Sequence, residues 1–322
     1  MKVDSDAELL ELPKVAVLLA TYNGAQWLGE QIDSINAQTG VSLRVIVSDD
    51  ASGDETLPLL ASTSDQDSRW TLLPTKNNSG SSNANFMRLI RDADIEDAQY
   101  IAFSDQDDVW FSNKMSNAIS MMRAFSAQGY SSSVIAMYSD GSQSLVDKAQ
   151  PQRKYDHFFE SPGPGCTIAV DQSLFKQIRS LVIANAIECI NFSHHDWLIY
   201  AYARANNLVW HIDMHPSMLY RQHQNNVVGV NQGATAFRSR IKKIRNGWYR
   251  DQILALCKIL SSGNTNNASI LEIQSLLQER PSVLVRIKFI LNIATQSRRH
   301  LRDRIMFISV ASIGWLWNHS KK

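Results

Sequence analysis

The stretch from 15 to 21, VAVLLAT, runs apolar without alternation, which excludes a strand with one solvated face and calls for one covered on both sides, as in a parallel sheet. A chain that begins this way must supply crossover helices. The next residues do so: in AQWLGEQIDSINAQ, Trp27, Leu28, Gln31, Ile32 and Ile35 recur at helical spacing. LRVIVS then reads as a second strand ending at Asp49 and Asp50, and DETLPLLAS as a second short helix. RWTLLPT, NANFMRLIRDA and YIAFS continue as strand, helix and strand. Strand and helix alternating at short intervals predict right-handed βαβ units and an α/β fold, a mostly parallel, Rossmann-like sheet flanked by helices.

In such a sheet, ligands bind beyond the carboxyl ends of the strands. The segments expected there are TYNG at 21–24, SDDASGD at 48–54, KNNSG at 76–80 and SDQDD at 104–108. All are polar and two are acidic, so Asp50 and the cluster Asp105, Asp107 and Asp108 are expected to meet at one edge. Farther on, SDGSQSLVDKAQPQRKYD reads as a mobile loop near the site, and PGPGCTIAV as a tight backbone path. HDWLIYAYARA reads as a helix, followed by LVWHI and MLYRQHQNN.

Several chemistries are excluded by absent patterns. No G-x-G-x-x-G follows the first strand and no G-x-x-x-x-G-K-[ST] occurs, so neither a standard dinucleotide site nor a P-loop is present. Asp105, Asp107 and Asp108 are not an EF-hand, since its sixth position would be Trp110 where glycine is required. His194, His195 and Asp196 lack the i, i+4 spacing of a helical zinc pair. The cysteines Cys166, Cys189 and Cys257 have neither disulfide-framework nor zinc spacing and read as free core thiols in a reducing compartment. What remains is D-x-D at a strand end, carboxylates that take one or two positions of a hard divalent ion and leave the rest to water and substrate phosphates.

Charge divides the chain more sharply than its net of +1 suggests. Residues 1–237 hold 16 Lys and Arg against 27 Asp and Glu, whereas residues 238–322 hold 16 against 4. A basic, mostly helical extension at 238–322 therefore follows an acidic body at 1–237, with SSGNTNNAS between helices. Such an extension suits an anionic membrane surface or the acidic body itself. The opening residues are acidic where a secretory signal is basic, so a cytoplasmic location is expected. The longest apolar run, Ile305 to Trp317, is short of the roughly 20 residues needed to span a bilayer.

VAVLLATYNGAQWLGEQIDSINAQT, RVIVSDDASGDET, YIAFSDQDDVWFSNKM, PGCTIAV, HHDW and YRQHQNNVVG stand in that order. Together they resemble bacterial glycosyltransferase family 2 proteins of the GT-A fold, especially the rhamnosyltransferase-like branch that builds surface polysaccharides. The resemblance covers roughly residues 14 to 230. It implies a catalytic domain at 1–237, with a nucleotide-sugar half at about 14–140 and an acceptor half at about 141–237. It implies inverting transfer of one sugar, rhamnose being a candidate, from a TDP or UDP sugar to a saccharide or lipid-linked saccharide, using Mn2+ or Mg2+.

Carried onto this sequence, the family pattern puts Thr21, Tyr22, Asn23, Asp50 and Asp105 on the nucleotide. Asp107, Asp105 and His223 fall at the metal, Arg221 at the diphosphate, and Asp196 at the base. Asp49 reads as a turn or helix cap. Gly165, Cys166 and Trp197 are expected on the acceptor side. His195 stands where the commonest form has Glu. The Q-x-x-R-W motif of processive members is absent, and a single addition is expected. Trp248, Tyr249, Trp315 and Trp317 are expected to rest the extension on an anionic membrane, with no nucleic acid as partner. A metal-dependent nucleotidyltransferase and a non-catalytic sugar-nucleotide-binding protein are the alternatives.

Overall fold

Thr21, Asp49 and Ser104 end three neighbouring strands at one edge, because the first, second and fourth strands run parallel in matched register. In the computed structural model, which describes residues 11–75, 78–223, 233–262, 268–278 and 281–318, the chain begins β1 (Lys14–Thr21), α1 (Ala25–Asn36), β2 (Ser42–Asp49), α2 (Thr56–Gln66), β3 (Trp70–Leu72), α3 (Ser82–Asp92) and β4 (Tyr100–Ser104). β1 pairs with β2 through Val17↔Val45 and Thr21↔Asp49, and with β4 through Val17↔Ala102 and Leu19↔Ser104. β1 is buried from Val15 onward, as its unbroken apolar run requires. Ser81 caps α3 by accepting from the Ala84 backbone N–H.

The next elements are β5 (Val109–Trp110), α4 (Lys114–Ala124), β6 (Gly129–Ser132), β7 (Val134–Met137) and β8 (Gln143–Val146). They are followed by β9 (Ala169–Asp171), α5 (Gln172–Ala184), α6 (Ala186–Asn191), α7 (His195–Ala205), β10 (Trp210–Asp213) and β11 (Met218–Arg221). The main sheet has the order β10-β6-β9-β4-β1-β2-β3, with β9 antiparallel to both β4 and β6. A smaller sheet has the order β5-β11-β7-β8. Part of the stretch expected as a mobile loop is β8, paired with β7 through Ile135↔Leu145. Its short, polar sequence hides the strand, because the pairing is supplied by a neighbour and not by its own apolar pattern.

The basic C-terminal segment folds as α8 (Gly233–Arg245), α9 (Trp248–Ser262), α10 (Ala268–Gln278), α11 (Val283–Asn292) and α12 (Leu301–Ser312). These helices share a core with the sheet layer: Phe159 packs on Phe307 at 5.0 Å between ring centres, and Phe289 meets Trp317 edge-on at 5.4 Å. Tyr249 and Trp317 are buried, so they do not lie on an outer surface as expected. Trp248 and Trp315 are half-buried under Lys243 and Arg245. A buried polar cluster ties the same layers: Asp156 accepts from the Tyr200 hydroxyl at 2.9 Å and meets Arg204 at 3.3 Å and Arg299 at 3.4 Å. Part of the extension's positive charge thus answers the acidic body directly. No helix among the described residues is long and apolar enough to cross a membrane.

Candidate active site

The end of β1 is held by its neighbours' loops. Thr21 Oγ1 donates to Asp49 Oδ2 at 2.8 Å, and Asp49 also accepts from the Ser52 backbone N–H and hydroxyl at 2.8 and 2.6 Å. Asp49 is therefore spent on closing the loop, with Ala51 in the left-handed region at φ 63°. Asp50 faces the cavity and accepts from the Ser79 backbone N–H at 2.6 Å. Asn23, also left-handed at φ 47°, accepts from the Gly53 N–H at 2.8 Å.

Gln106 brackets Tyr22: its Oε1 accepts from the Tyr22 N–H at 2.7 Å and its Nε2 donates to the Tyr22 carbonyl at 2.9 Å. This pair fastens the β1 loop to the β4 loop and leaves the Tyr22 ring half exposed. A Cβ on Gly24 would overlap the Gln106 amide, so that position has no room for a side chain. Gln106 is a site residue the sequence reading passed over, although it lies within the D-x-D itself.

At the end of β4 the carboxylates crowd together. The acidic oxygens of Asp105 and Asp108 and the Cys166 sulfur lie within 4.8 Å of one another. Burial, then the charges of Asp107 and Asp196, push the Asp105 carboxyl up to about 7. Asp108 is fully buried and is pushed up by burial and by Asp107 and Asp105. One of its oxygens accepts from the Arg221 N–H at 3.1 Å. Burial also pushes the Cys166 thiol up, so it stays a neutral thiol there.

Lys114 lies beneath the cluster, buried, 3.7 Å from the centre of the Trp110 ring and donating to the Cys166 carbonyl at 2.5 Å. Burial lowers its ammonium to about 8. Asp107 is held from the other side: its Oδ2 lies 2.7 Å from His223 Nε2, and the His223 ring stacks on Trp27 at 4.0 Å. Asp105 and Asp108 act on this one buried lysine, and Asp105 and Asp107 open onto the cavity. That donor set of carboxylate oxygens with a neighbouring imidazole fits a hard or borderline divalent cation.

Arg221 does not stand on the cavity wall. Its Nε donates to the Asp107 carbonyl at 2.8 Å and its Nη2 to Glu30 at 2.9 Å, so the expected diphosphate contact is replaced by a brace that fixes the backbone of Asp107. The part of YRQHQNNVVG beyond His223 lies outside the described residues, as do residues 76 and 77 of KNNSG.

Across the cavity, Gly165 begins a single 3-10 turn. A Cβ there would stand 2.5 Å from His195 Nε2, so glycine is what lets the ring approach. His195 is stacked on Phe86 at 3.8 Å and burial lowers it to about 4, which keeps it neutral near pH 7. Asp196 occupies the first turn of α7, where the helix dipole favours its charge, and accepts from the Trp197 N–H at 2.8 Å. It lines the same cavity as Asp105, and its charge is one of those that raise the Asp105 carboxyl.

One acceptor-side expectation is corrected and another is narrowed. Cys166 is buried behind the wall, its carbonyl turned to Lys114. Trp197 lines the cavity but is only 4% exposed: its Nε1 donates to the His157 carbonyl at 2.9 Å and its ring lies parallel to that of Tyr249, which lines the cavity too.

Thr21, Tyr22, Asn23, Asp50, Asp105, Asp107, Gly165, Asp196 and His223 all line one cavity of about 1010 Å³. That is large for a single small ligand and admits a nucleotide sugar together with part of a second substrate. Ser239, Arg240, Lys243, Trp248, Arg298 and Arg299 of the C-terminal segment also line it, and none of them was expected at the site from the sequence.

The family model described as Glycosyl transferase family 2 matches residues 16–178. The dTDP-rhamnosyl transferase RfbG of Shigella flexneri is 41% identical over 250 residues, which cover 77% of this chain and 86% of that protein. The putative teichuronic acid biosynthesis glycosyltransferase TuaG of Bacillus subtilis is 30% identical over 177 residues, 52% of this chain and 66% of its own. Among solved structures, residues 1–349 of S. aureus TarS in complex with UDP-GlcNAc align with a TM-score of 0.54 at 14% identity, over 94% of this chain and 79% of that one, a likeness of fold.

The crowding at Asp105 predicts a pH-dependent stability. A carboxyl raised from 3.8 to about 7 favours folding by its proton, so this contribution is fully present at low pH and is lost as pH rises towards 7. Asp105→Asn, which cannot ionise, should therefore raise the melting temperature of the metal-free protein most at pH 8. The gain should shrink steadily between pH 7 and pH 4, as read by thermal denaturation at each pH.

Proposed function

This chain belongs to glycosyl transferase family 2, and from that premise we propose that it transfers one rhamnosyl residue, with inversion, from a TDP sugar to a saccharide or lipid-linked saccharide acceptor. Sugar transfer from a nucleoside-diphosphate sugar follows from the family. The choice of donor is supported by the 41% identity to a dTDP-rhamnosyl transferase over most of both chains. The observation that carries the mechanism is the meeting of Asp50, Asp105, Asp107 and Asp196 around one cavity from three separate segments.

The base of the nucleotide lies against the Tyr22 ring, with the Asp50 carboxylate accepting from a base N–H; the side-chain chemistry of both supports this. Asp105 sits on the ribose side. Mn2+ or Mg2+ held by Asp107 and Asp105, beside His223, would neutralise the charge that grows on the leaving diphosphate. His223 and Arg221 keep Asp107 in place, one through its carboxylate and the other through its carbonyl.

Asp196 takes the proton from the acceptor hydroxyl as that oxygen forms its bond to C1 of the sugar. The C1–O bond to the diphosphate breaks on the opposite face, and the nucleoside diphosphate leaves with the electron pair. His195, neutral and pinned between Gly165 and Phe86, holds the turn from which Asp196 projects. It acts on position and does not itself touch the reacting atoms.

An anionic membrane surface is the partner we assign to the outer face of the C-terminal helices, and different residues carry it from those marked in the sequence. Leu284, Ile287 and Leu291 of α11 and Leu301 and Ile305 of α12 are exposed, with Lys288 and Arg302 beside them. Apolar groups flanked by cations suit insertion among anionic headgroups.

Asp196→Asn should retain binding of TDP and lose transfer by about a hundredfold to ten-thousandfold, the usual worth of a positioned base. Transfer is read as TDP release from TDP-rhamnose with acceptor present, and wild-type turnover by the variant would reject the assignment. In sedimentation with vesicles containing anionic lipid, Leu284→Asp with Ile287→Asp should leave the protein in the supernatant. Co-sedimentation equal to wild type would reject the membrane face.

A further inference from the structure

The β1 loop carries the Tyr22 ring and the β4 loop carries Asp105 and Asp107, and one side chain joins the two. The neighbours of Tyr22 are tied elsewhere, to the segment after β2. Thr21 donates to Asp49, the Asn23 N–H to the Ser52 hydroxyl at 2.8 Å, and the Gly24 N–H to Thr56 Oγ1 at 2.8 Å. Tyr22 turns instead to the β4 loop: its N–H donates to Gln106 Oε1 at 2.7 Å and its carbonyl accepts from Gln106 Nε2 at 2.9 Å. Gln106 stands between Asp105 and Asp107 in the chain and lines the same cavity.

The paired contact needs an amide. A carboxylate of the same shape accepts from the N–H but repels the carbonyl, and an apolar side chain does neither. The amide lies over Gly24, where a Cβ would overlap its Oε1 and Cδ. Gly24 has φ −109°, outside the left-handed region, so the demand for glycine comes from the Gln106 side chain and not from the backbone. Two residues far apart in sequence are thus fitted to one contact, and the transfer step assigns neither of them a task.

We propose that Gln106 is a positioning residue: it sets the span between the Tyr22 platform and the carboxylates of Asp105 and Asp107, so that a nucleoside diphosphate engages both at once. A ligand that bridges two loops binds most tightly when the loops are already held at the span it needs. Without the tie each end still binds its part of the ligand, but the ordering of one loop against the other is drawn from the binding energy. Ion and nucleotide then strengthen each other through Gln106, each by the same factor. This rests on the nucleotide and metal reading of the site and adds the residue through which its two halves act together.

The test is calorimetry on the full chain with three titrations: TDP in Mn2+, TDP in EDTA, and inorganic pyrophosphate in Mn2+. Gln106→Met keeps the length of the side chain without either hydrogen bond. It should weaken TDP in Mn2+ by at least about tenfold, the scale of two ordinary hydrogen bonds. TDP in EDTA should weaken less, and pyrophosphate in Mn2+, which touches only the metal end, should bind as it does to wild type. Gly24→Ala adds one methyl group against the amide and removes no polar group, and it should reproduce that pattern independently. In a Gln106→Ala background Gly24→Ala should cost little more, because the amide it displaces is gone.

TDP affinity in Mn2+ equal to wild type in both Gln106→Met and Gly24→Ala overturns the proposal. Equal losses in Mn2+ and in EDTA, or pyrophosphate weakened as much as TDP, also overturn it, since Gln106 would then be a general support of the fold. Fully additive losses from Gly24→Ala and Gln106→Ala overturn the part given to Gly24. Failure of the underlying reading shows in the wild type alone: TDP bound equally in Mn2+ and in EDTA before any substitution sinks the metal end, and this proposal with it.

Discussion

Mutual repulsion among Asp105, Asp107 and Asp108 is the constraint around which this site is built. Carboxylates this close and this buried resist ionising together, and the fold must answer their charge from several directions. Lys114 answers it from beneath and the imidazole of His223 from beside, while the Cys166 thiol and the Arg221 backbone N–H occupy Asp108. On the side facing the cavity, under the proposed mechanism, a divalent ion and its diphosphate would complete the charge balance. The same arrangement explains the division of labour within the cluster: Asp108 is turned inward to tie β11 to the end of β4, so Asp105 and Asp107 are free to face substrate.

The main sheet was legible because its signal is local. VAVLLAT is long, apolar and unbroken, and β1, β2 and β4 follow the predicted order with ends within a residue or two. Asp50, Asp107 and Asp196 were legible as candidates because each stands in a short pattern of distinctive residues. What escaped notice has no local signature. β8 and β9 are three or four residues long and exist through pairing with partners distant in sequence. Gln106 and Lys114 stood in quoted motifs, yet their roles depend on partners at Tyr22 and Cys166, which sequence separation conceals. Arg221 was misplaced for the same reason: the right residue type stood in the right motif, but Glu30 and Asp107 claim it.

The basic C-terminal segment shows how composition can be right about charge and silent about direction. Its excess of lysine and arginine divides between a buried set that locks Asp156 and Glu160, a set that lines the cavity, and a set exposed beside the apolar faces of α11 and α12. The aromatic residues that suggested a membrane contact instead bind the helices to the sheet layer through Phe159 and its neighbours. An element that carries no recognised motif thereby forms the far wall of the site.

The central claim is that the acidic strand ends hold a nucleoside diphosphate through a divalent ion. Titration of TDP into the chain with Mn2+, with EDTA, and again with Asp107→Asn decides it. The account predicts binding that weakens by at least about tenfold on chelation or on substitution, the scale of one strong charge-assisted contact. Equal affinity for TDP in EDTA and in Mn2+, unchanged by the loss of Asp107, would contradict it.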